Sequence, residues 1–146
     1  MAERVVNVYN WADNIDPSVA AAFEQATGIK VNYTTFDTQE LMETHMLAGS
    51  SGYDVVDVPS YSLERLVAVG VFRRLDRGLL PNLKNLDPDL MRSIAQFDPG
   101  NEHAVAYMWG TTAIGYNARA VHELAPEAPT DSWRLVYDPR VLATEA

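Results

Sequence analysis

An α/β fold with a mainly parallel sheet flanked by helices is what this sequence predicts, and three observations predict it. Short β-branched and aromatic runs alternate with helical stretches from Val5 to Gly70, in the order β-α-β-α-β-α. The helical stretches open on capping residues and close on or near glycine. The composition is that of an ordinary folded domain, with 47% hydrophobic and 21% charged residues, which argues against disorder.

Val5–Tyr9 is an apolar run of strand length. Asp16 is placed to cap the next helix, and Pro17 fits its first position, where a missing N–H costs nothing. Ala20, Ala21, Ala22, Phe23 and Ala26 supply an apolar face, and Gly28 is the expected C-cap. Ile29–Phe36 alternates Ile29, Val31, Tyr33 and Thr35, the period of a second strand. Asp37 with Glu40 has the spacing of a capping pair for a helix that carries Leu41, Met42, Met46 and Leu47 and ends near Gly49. Ser50-Ser51-Gly52 is a turn; Asp54–Val58 is a third strand that runs into Pro59-Ser60-Tyr61, and Leu63–Val69 is a short helix closed by Gly70.

Further on, Leu79–Asn85 reads as a loop around Pro81, and Asp87-Pro88 opens a helix reaching about Ala95. Asp98-Pro99-Gly100-Asn101 is a turn. Ala104–Tyr116 is apolar and aromatic, broken by Gly110 and Gly115, and predicts one or two kinked strands. Arg119–Leu124 is helical, and Pro126, Pro129 and Asp131-Ser132-Trp133 mark a linker or the start of a helix. Residues 136–146 begin an element with no visible partner, which suggests a piece of a longer chain.

A length of 146 residues suits one domain, or one domain with part of a second. The net charge of -9 and the lack of any basic stripe make nucleic acid and anionic membranes poor partners. The overall field weakly favours a cationic ligand. With no cysteine there are no disulfides, thiolate metal sites or cysteine nucleophiles. No apolar run approaches bilayer-spanning length, and Met1-Ala2-Glu3-Arg4 leads into a strand without an apolar signal core. That start fits a cytosolic protein, or an exported one whose signal is absent from this chain.

Catalytic chemistry finds little footing. His45, His103 and His122 lack metal-ligand spacing, so no metal is expected, and no cofactor motif is present. Asp54 and Asp57 could do acid–base work, but acids at strand ends are commonly turn formers. Gly49-Ser50-Ser51-Gly52 lacks the lysine and the following helix of a phosphate loop. A binding rim is better supported. Trp11 and Asp13 follow the first strand, at the sheet edge where open α/β sheets take ligands. A ring beside a carboxylate suits an organic cation, through cation–π attraction and a charged acceptor. The plain alternative is a tryptophan that plugs the core beside a solvated acid. Ser60, beyond the third strand, shares the rim; it could bond a ligand or cap the helix after it.

Several stretches together resemble the polyamine-binding proteins of bacterial ABC importers, those for putrescine and spermidine. They are Tyr9-Asn10-Trp11, Phe23-Glu24, Thr27-Gly28-Ile29-Lys30-Val31, Leu47-Ala48-Gly49, Gly52-Tyr53-Asp54-Val55-Val56, Ala68 with Gly70-Val71-Phe72, and Lys84-Asn85-Leu86-Asp87-Pro88. Tyr107-Met108-Trp109-Gly110-Thr111, Gly115-Tyr116-Asn117, Ala128-Pro129 and Asp131-Ser132-Trp133 continue the match in order along almost the whole chain. The resemblance implies a periplasmic, two-lobed binding protein of the type II periplasmic-binding-protein kind, not an enzyme and without a cofactor, that closes over a polyamine and delivers it to a membrane permease. Residues 1–108 would be the amino-terminal portion of an incomplete lobe one, and 109–146 the hinge crossing and the start of lobe two. It also implies that Trp11 stacks on the ligand, Asp13 pairs with a terminal ammonium, and Ser60 adds a hydroxyl.

Departures occur at Ala12 and Asn14, where the family often has a hydroxyl residue and a tyrosine, and at Asp57, which looks like a one-residue insertion. An ungapped register would displace Ser60. A charge-assisted bond is worth ~1.5–3 kcal/mol and a desolvated cation–π contact about 2 kcal/mol. Association costs at least as much, so this stretch alone is expected to bind polyamine weakly. Two other readings stay open: a binding protein for another small ligand, such as an amino-acid derivative or a metal chelate, and a self-contained α/β domain acting as an enzyme or interaction module. A truncated lobe could also form a domain-swapped dimer.

Overall fold

The computed structural model describes residues 4–49 and 51–142. Ser50 of the predicted turn and the last four residues of the carboxyl-terminal element lie outside the described residues. Contacts divide the chain into two compact units, Met1–Met108 and Trp109–Ala146.

The first unit is built on a three-stranded sheet of β1 (Val5–Trp11), β2 (Lys30–Phe36) and β3 (Val55–Val56), all parallel, in the order β2-β1-β3. Helix α1 (Pro17–Thr27) joins β1 to β2, and α2 (Gln39–Leu47) joins β2 to β3. Asp16 caps α1 by accepting the Ser18 amide at 2.8 Å. Gly28 ends α1 at φ 66°, a left-handed conformation that glycine adopts without the Cβ penalty, and its N–H reaches the Glu24 carbonyl at 2.8 Å. For α2 the cap is Thr38, not the predicted Asp37: the Thr38 hydroxyl accepts the Leu41 amide at 3.3 Å. The chain leaves β2 extended for one residue more than the spacing suggested, which moves the cap along by one.

Helix α3 (Ser60–Ala68) begins earlier than predicted, and β3 is shorter. Only Val55 and Val56 pair as strand residues, because Pro59 and the helix behind it turn the chain away from β1. Two 3-10 turns, Arg77–Leu79 and Pro81–Asn85, fill the predicted loop, and α4 (Pro88–Ile94) follows with Asp87 as its cap. Residues 104–116, predicted as kinked strands, are irregular throughout. A strand needs a neighbour to take its N–H and C=O groups, and no described strand pairs with this segment.

The core lies on one face of the sheet. Tyr9, Phe36, Met42, Met46 and Leu66 are buried together, with Trp11, Tyr53, Val56, Val58, Val71 and Phe72 packed against them. Strand alternation puts Tyr9, Trp11, Phe36 and Val56 on this face. Each such side chain contributes about 1.5–3 kcal/mol when fully buried. The Tyr9 ring stacks on Tyr53 with centroids 4.4 Å apart, and its hydroxyl lies 3.1 Å from His45 Nδ1. Helices α2 and α3 are tied by polar contacts: Gln39 donates to Ser62 at 2.6 Å, Tyr61 donates to Gln39 at 2.7 Å, and Arg65 pairs with Glu43.

The second unit holds α5 (Ala118–Leu124), capped by Asn117, and two short helices, α6 (Arg134–Tyr137) and α7 (Pro139–Leu142), in contact with each other. The buried Asp138 joins these two, accepting from Arg134 at 3.1 Å and from Arg140 at 2.8 Å. No described helix is long and apolar enough to cross a membrane.

Candidate ligand-binding rim

The strand order creates the site. From β1 the chain moves to β2 on one side, then crosses to β3 on the other. The connections leaving β1 and β3 therefore diverge at the carboxyl edge of the sheet, and open α/β folds bind ligands in the crevice at such a switch point. Trp11 ends β1 and residues 12–14 follow it; residues 57–59 follow β3 and Ser60 opens α3. Trp11, Asp13 and Ser60 thus all lie at the carboxyl ends of these two adjacent strands.

Trp11 ends β1 and packs its ring on Phe36, centroids 4.6 Å apart and tilted by 57°. It is half-buried. One side therefore closes the core, as the plain alternative foresaw, and part of the ring stays accessible. The Asp13 carboxylate is exposed, and its backbone sits at φ 62°, the left-handed region that few non-glycine residues occupy. Strained conformations of this kind gather at functional sites. Ser60 is exposed and opens α3, but it is not the cap: that position belongs to Pro59, and no side chain caps the helix.

Two residues of the rim carry more than their sequence pattern suggested. The half-buried Asn14 donates from Nδ2 to Asp57 Oδ2 at 3.3 Å, and its carbonyl accepts the Tyr107 hydroxyl at 2.6 Å. Asp57 extends the β1–β3 ladder by giving its N–H to the Tyr9 carbonyl at 2.9 Å. Burial raises its carboxyl above the ordinary value, partly offset by the hydrogen bonds from Asn14 and the Val58 amide. Its one sequence signal was the break it makes in an apolar run. Asp54 stands at the other end of β3, accepting the Asn7 amide at 2.8 Å, so the two acids are not a catalytic pair.

Tyr107 reaches Asn14 from a braced loop. Asp98 is 1% exposed and accepts the His103 amide at 2.8 Å, His103 Nδ1 at 2.9 Å and the Ala104 amide at 3.0 Å. An ionised carboxylate only accepts, so the His103 proton sits on Nδ1. Burial alone would raise the Asp98 carboxyl, but the hydrogen bonds from His103 and Ala104 outweigh it and hold it below the ordinary value. Arg74 pairs with Glu102, and Leu75 donates to the Glu102 carbonyl at 2.7 Å.

His45 and His103 are thus engaged by Tyr9 and Asp98, and no cluster of three or more metal-ligating side chains occurs among the described residues. A recess in the second unit, lined by Leu124, Pro126, Pro129 and Val141 beside Arg134 and Asp138, includes none of the rim residues.

A parallel α/β unit with a switch-point rim carrying an aromatic ring and acids has the architecture of a solute-binding lobe. The model for the family of bacterial extracellular solute-binding proteins matches residues 18–136, and the chain belongs to that family. It is 51% identical over 138 residues to the putrescine-binding periplasmic protein SpuD of Pseudomonas aeruginosa, covering 93% of this chain and 37% of the relative. Identity to the putrescine-binding periplasmic protein PotF of Escherichia coli is 49% over 142 residues, covering 96% and 38%. The crystal structure of the spermidine/putrescine ABC transporter substrate-binding protein PotD from Streptococcus pneumoniae superposes with a TM-score of 0.69 at 33% identity, covering 73% of this chain and 32% of that one. The chain therefore spans less than two-fifths of the length of these curated relatives (37% and 38%). The fold is that of a type II-like periplasmic-binding-protein lobe, present in part.

Proposed function

We propose that this chain is the amino-terminal part of a periplasmic solute-binding protein that captures a polyamine, putrescine or spermidine, for the membrane permease of an ABC importer, and that it is not an enzyme. The observation that carries the reading is the accessible part of the Trp11 ring and the Asp13 carboxylate at the β1–β3 switch point, in a chain whose relatives bear putrescine-binding names. Trp11 stacks on a methylene segment or an ammonium, Asp13 accepts from the terminal ammonium, and the Ser60 hydroxyl adds a neutral hydrogen bond. The first unit is the amino-terminal portion of lobe one; the second holds the hinge crossing and the start of lobe two. On its own the chain leaves Phe23, Trp109 and Tyr137 exposed, which supports self-association, including exchange of elements between two copies.

Titration calorimetry of the full-length protein with putrescine and with spermidine tests the function. A dissociation constant of about 10 μM or tighter for one of them is expected, roughly -7 kcal/mol. No binding heat with either, under conditions where the protein is folded, overturns it.

A further inference from the structure

Asp57 is held in an unusual position for a carboxylate. It is half-buried, its hydrogen-bond partners are the neutral side-chain amide of Asn14 and the Val58 backbone N–H, and no cation among the described residues pairs with it. A partly buried charge without a counter-ion is unfavourable unless something compensates it. By strand alternation Asp57 shares its face of the sheet with Asn10 and Tyr33. The Tyr33 hydroxyl there is shielded from solvent beside Asn10, and Tyr33 and Asp57 interact electrostatically. The Asp57 carboxylate is also bonded to the residue that follows Asp13 in the chain. Asn14 thus links two acids: the exposed Asp13 precedes it in the chain, and the half-buried Asp57 accepts its side-chain amide.

We propose that Asp57 is a specificity-determining residue of the polyamine site: a second carboxylate which, with Asp13 across Asn14, receives the ammonium group at the lobe-one end of the ligand. The proposal rests on the polyamine reading. An ammonium has three donors, and a single carboxylate leaves one or more of them to water. A second acid supplies a further charged acceptor, and the incoming cation supplies a counter-charge that no described residue gives Asp57.

The test is titration calorimetry with putrescine on the full-length protein and on Asp57→Asn, which keeps a side-chain acceptor for Asn14 and removes the charge. Binding weaker by tenfold or more, with the melting temperature of the ligand-free variant at or above that of wild type, supports the proposal. Affinity within twofold of wild type, or a loss of affinity accompanied by a lowered melting temperature, overturns it. If Asp57→Asn does not fold, Asp57→Glu against Asp57→Gln repeats the charge comparison at constant size: tenfold tighter binding by the Glu variant supports, equal binding overturns. A wild-type protein that binds neither putrescine nor spermidine sinks the polyamine reading itself, whereas binding by wild type with no effect at Asp57 sinks only this inference.

Discussion

Asp13 holds a backbone conformation, φ 62°, that costs a non-glycine residue free energy, and it does so with an exposed side chain. Asp13→Asn in the full-length protein is expected to weaken putrescine binding at least tenfold, since a charged hydrogen bond is worth ~1.5–3 kcal/mol; an unchanged dissociation constant in calorimetry removes Asp13 from the site. Asp98 is the opposite case, a buried acid whose value is structural. Its folded-state carboxyl lies below the ordinary 3.8, so its stabilising contribution is present above that value and is lost as the pH falls through the folded-state value. Asp98→Ala is expected to cost about 2–3 kcal/mol in denaturant unfolding at pH 7, with the difference from wild type shrinking in acid. That Asp98 starts a turn was legible in Asp98-Pro99-Gly100-Asn101; that it binds back onto His103 and Ala104 was not, because a turn pattern does not say which side chain faces inward.

At the scale of elements, capping chemistry was legible to within a residue. Asp16, Pro17 and Gly28 bound α1 as their types require, whereas Asp37 and Thr38 are both competent caps and backbone geometry chose Thr38. Thr38→Ala is expected to cost about 1 kcal/mol and Asp37→Ala close to nothing, measured by chemical denaturation; the reverse order would return the cap to Asp37. Glu43, tied to Arg65, Gln39 and Ser62, is held at about 2, so the contact joining α2 to α3 persists in moderate acid. The segment 104–116 has strand composition without strand structure, because β propensity describes a side chain's fit to a pleated surface and the hydrogen-bonded neighbour must come from elsewhere in the chain.

At the scale of the whole molecule, the order β2-β1-β3 gathers residues far apart in sequence onto one edge. If that edge is half of a clamp, ligand should stabilise the full-length protein by mass action, by about 2.7 kcal/mol at a hundredfold excess over the dissociation constant. Thermal unfolding with and without putrescine should show the rise in melting temperature, and this chain alone should show little, since one ring and one or two acids barely offset the cost of association. The alternation of strands and helices, the caps of α1, and the choice of Trp11 and Asp13 as rim residues were set by the sequence, because local periodicity and side-chain type act over a few residues. Tertiary structure alone decided that Trp11 packs its ring on Phe36 at the rim, that Asn14 is held by Asp57 and Tyr107, and that Asp57 is half-buried with no cation beside it among the described residues. Each of these depends on which strands and loops lie side by side, and that is settled only when distant segments pack against one another.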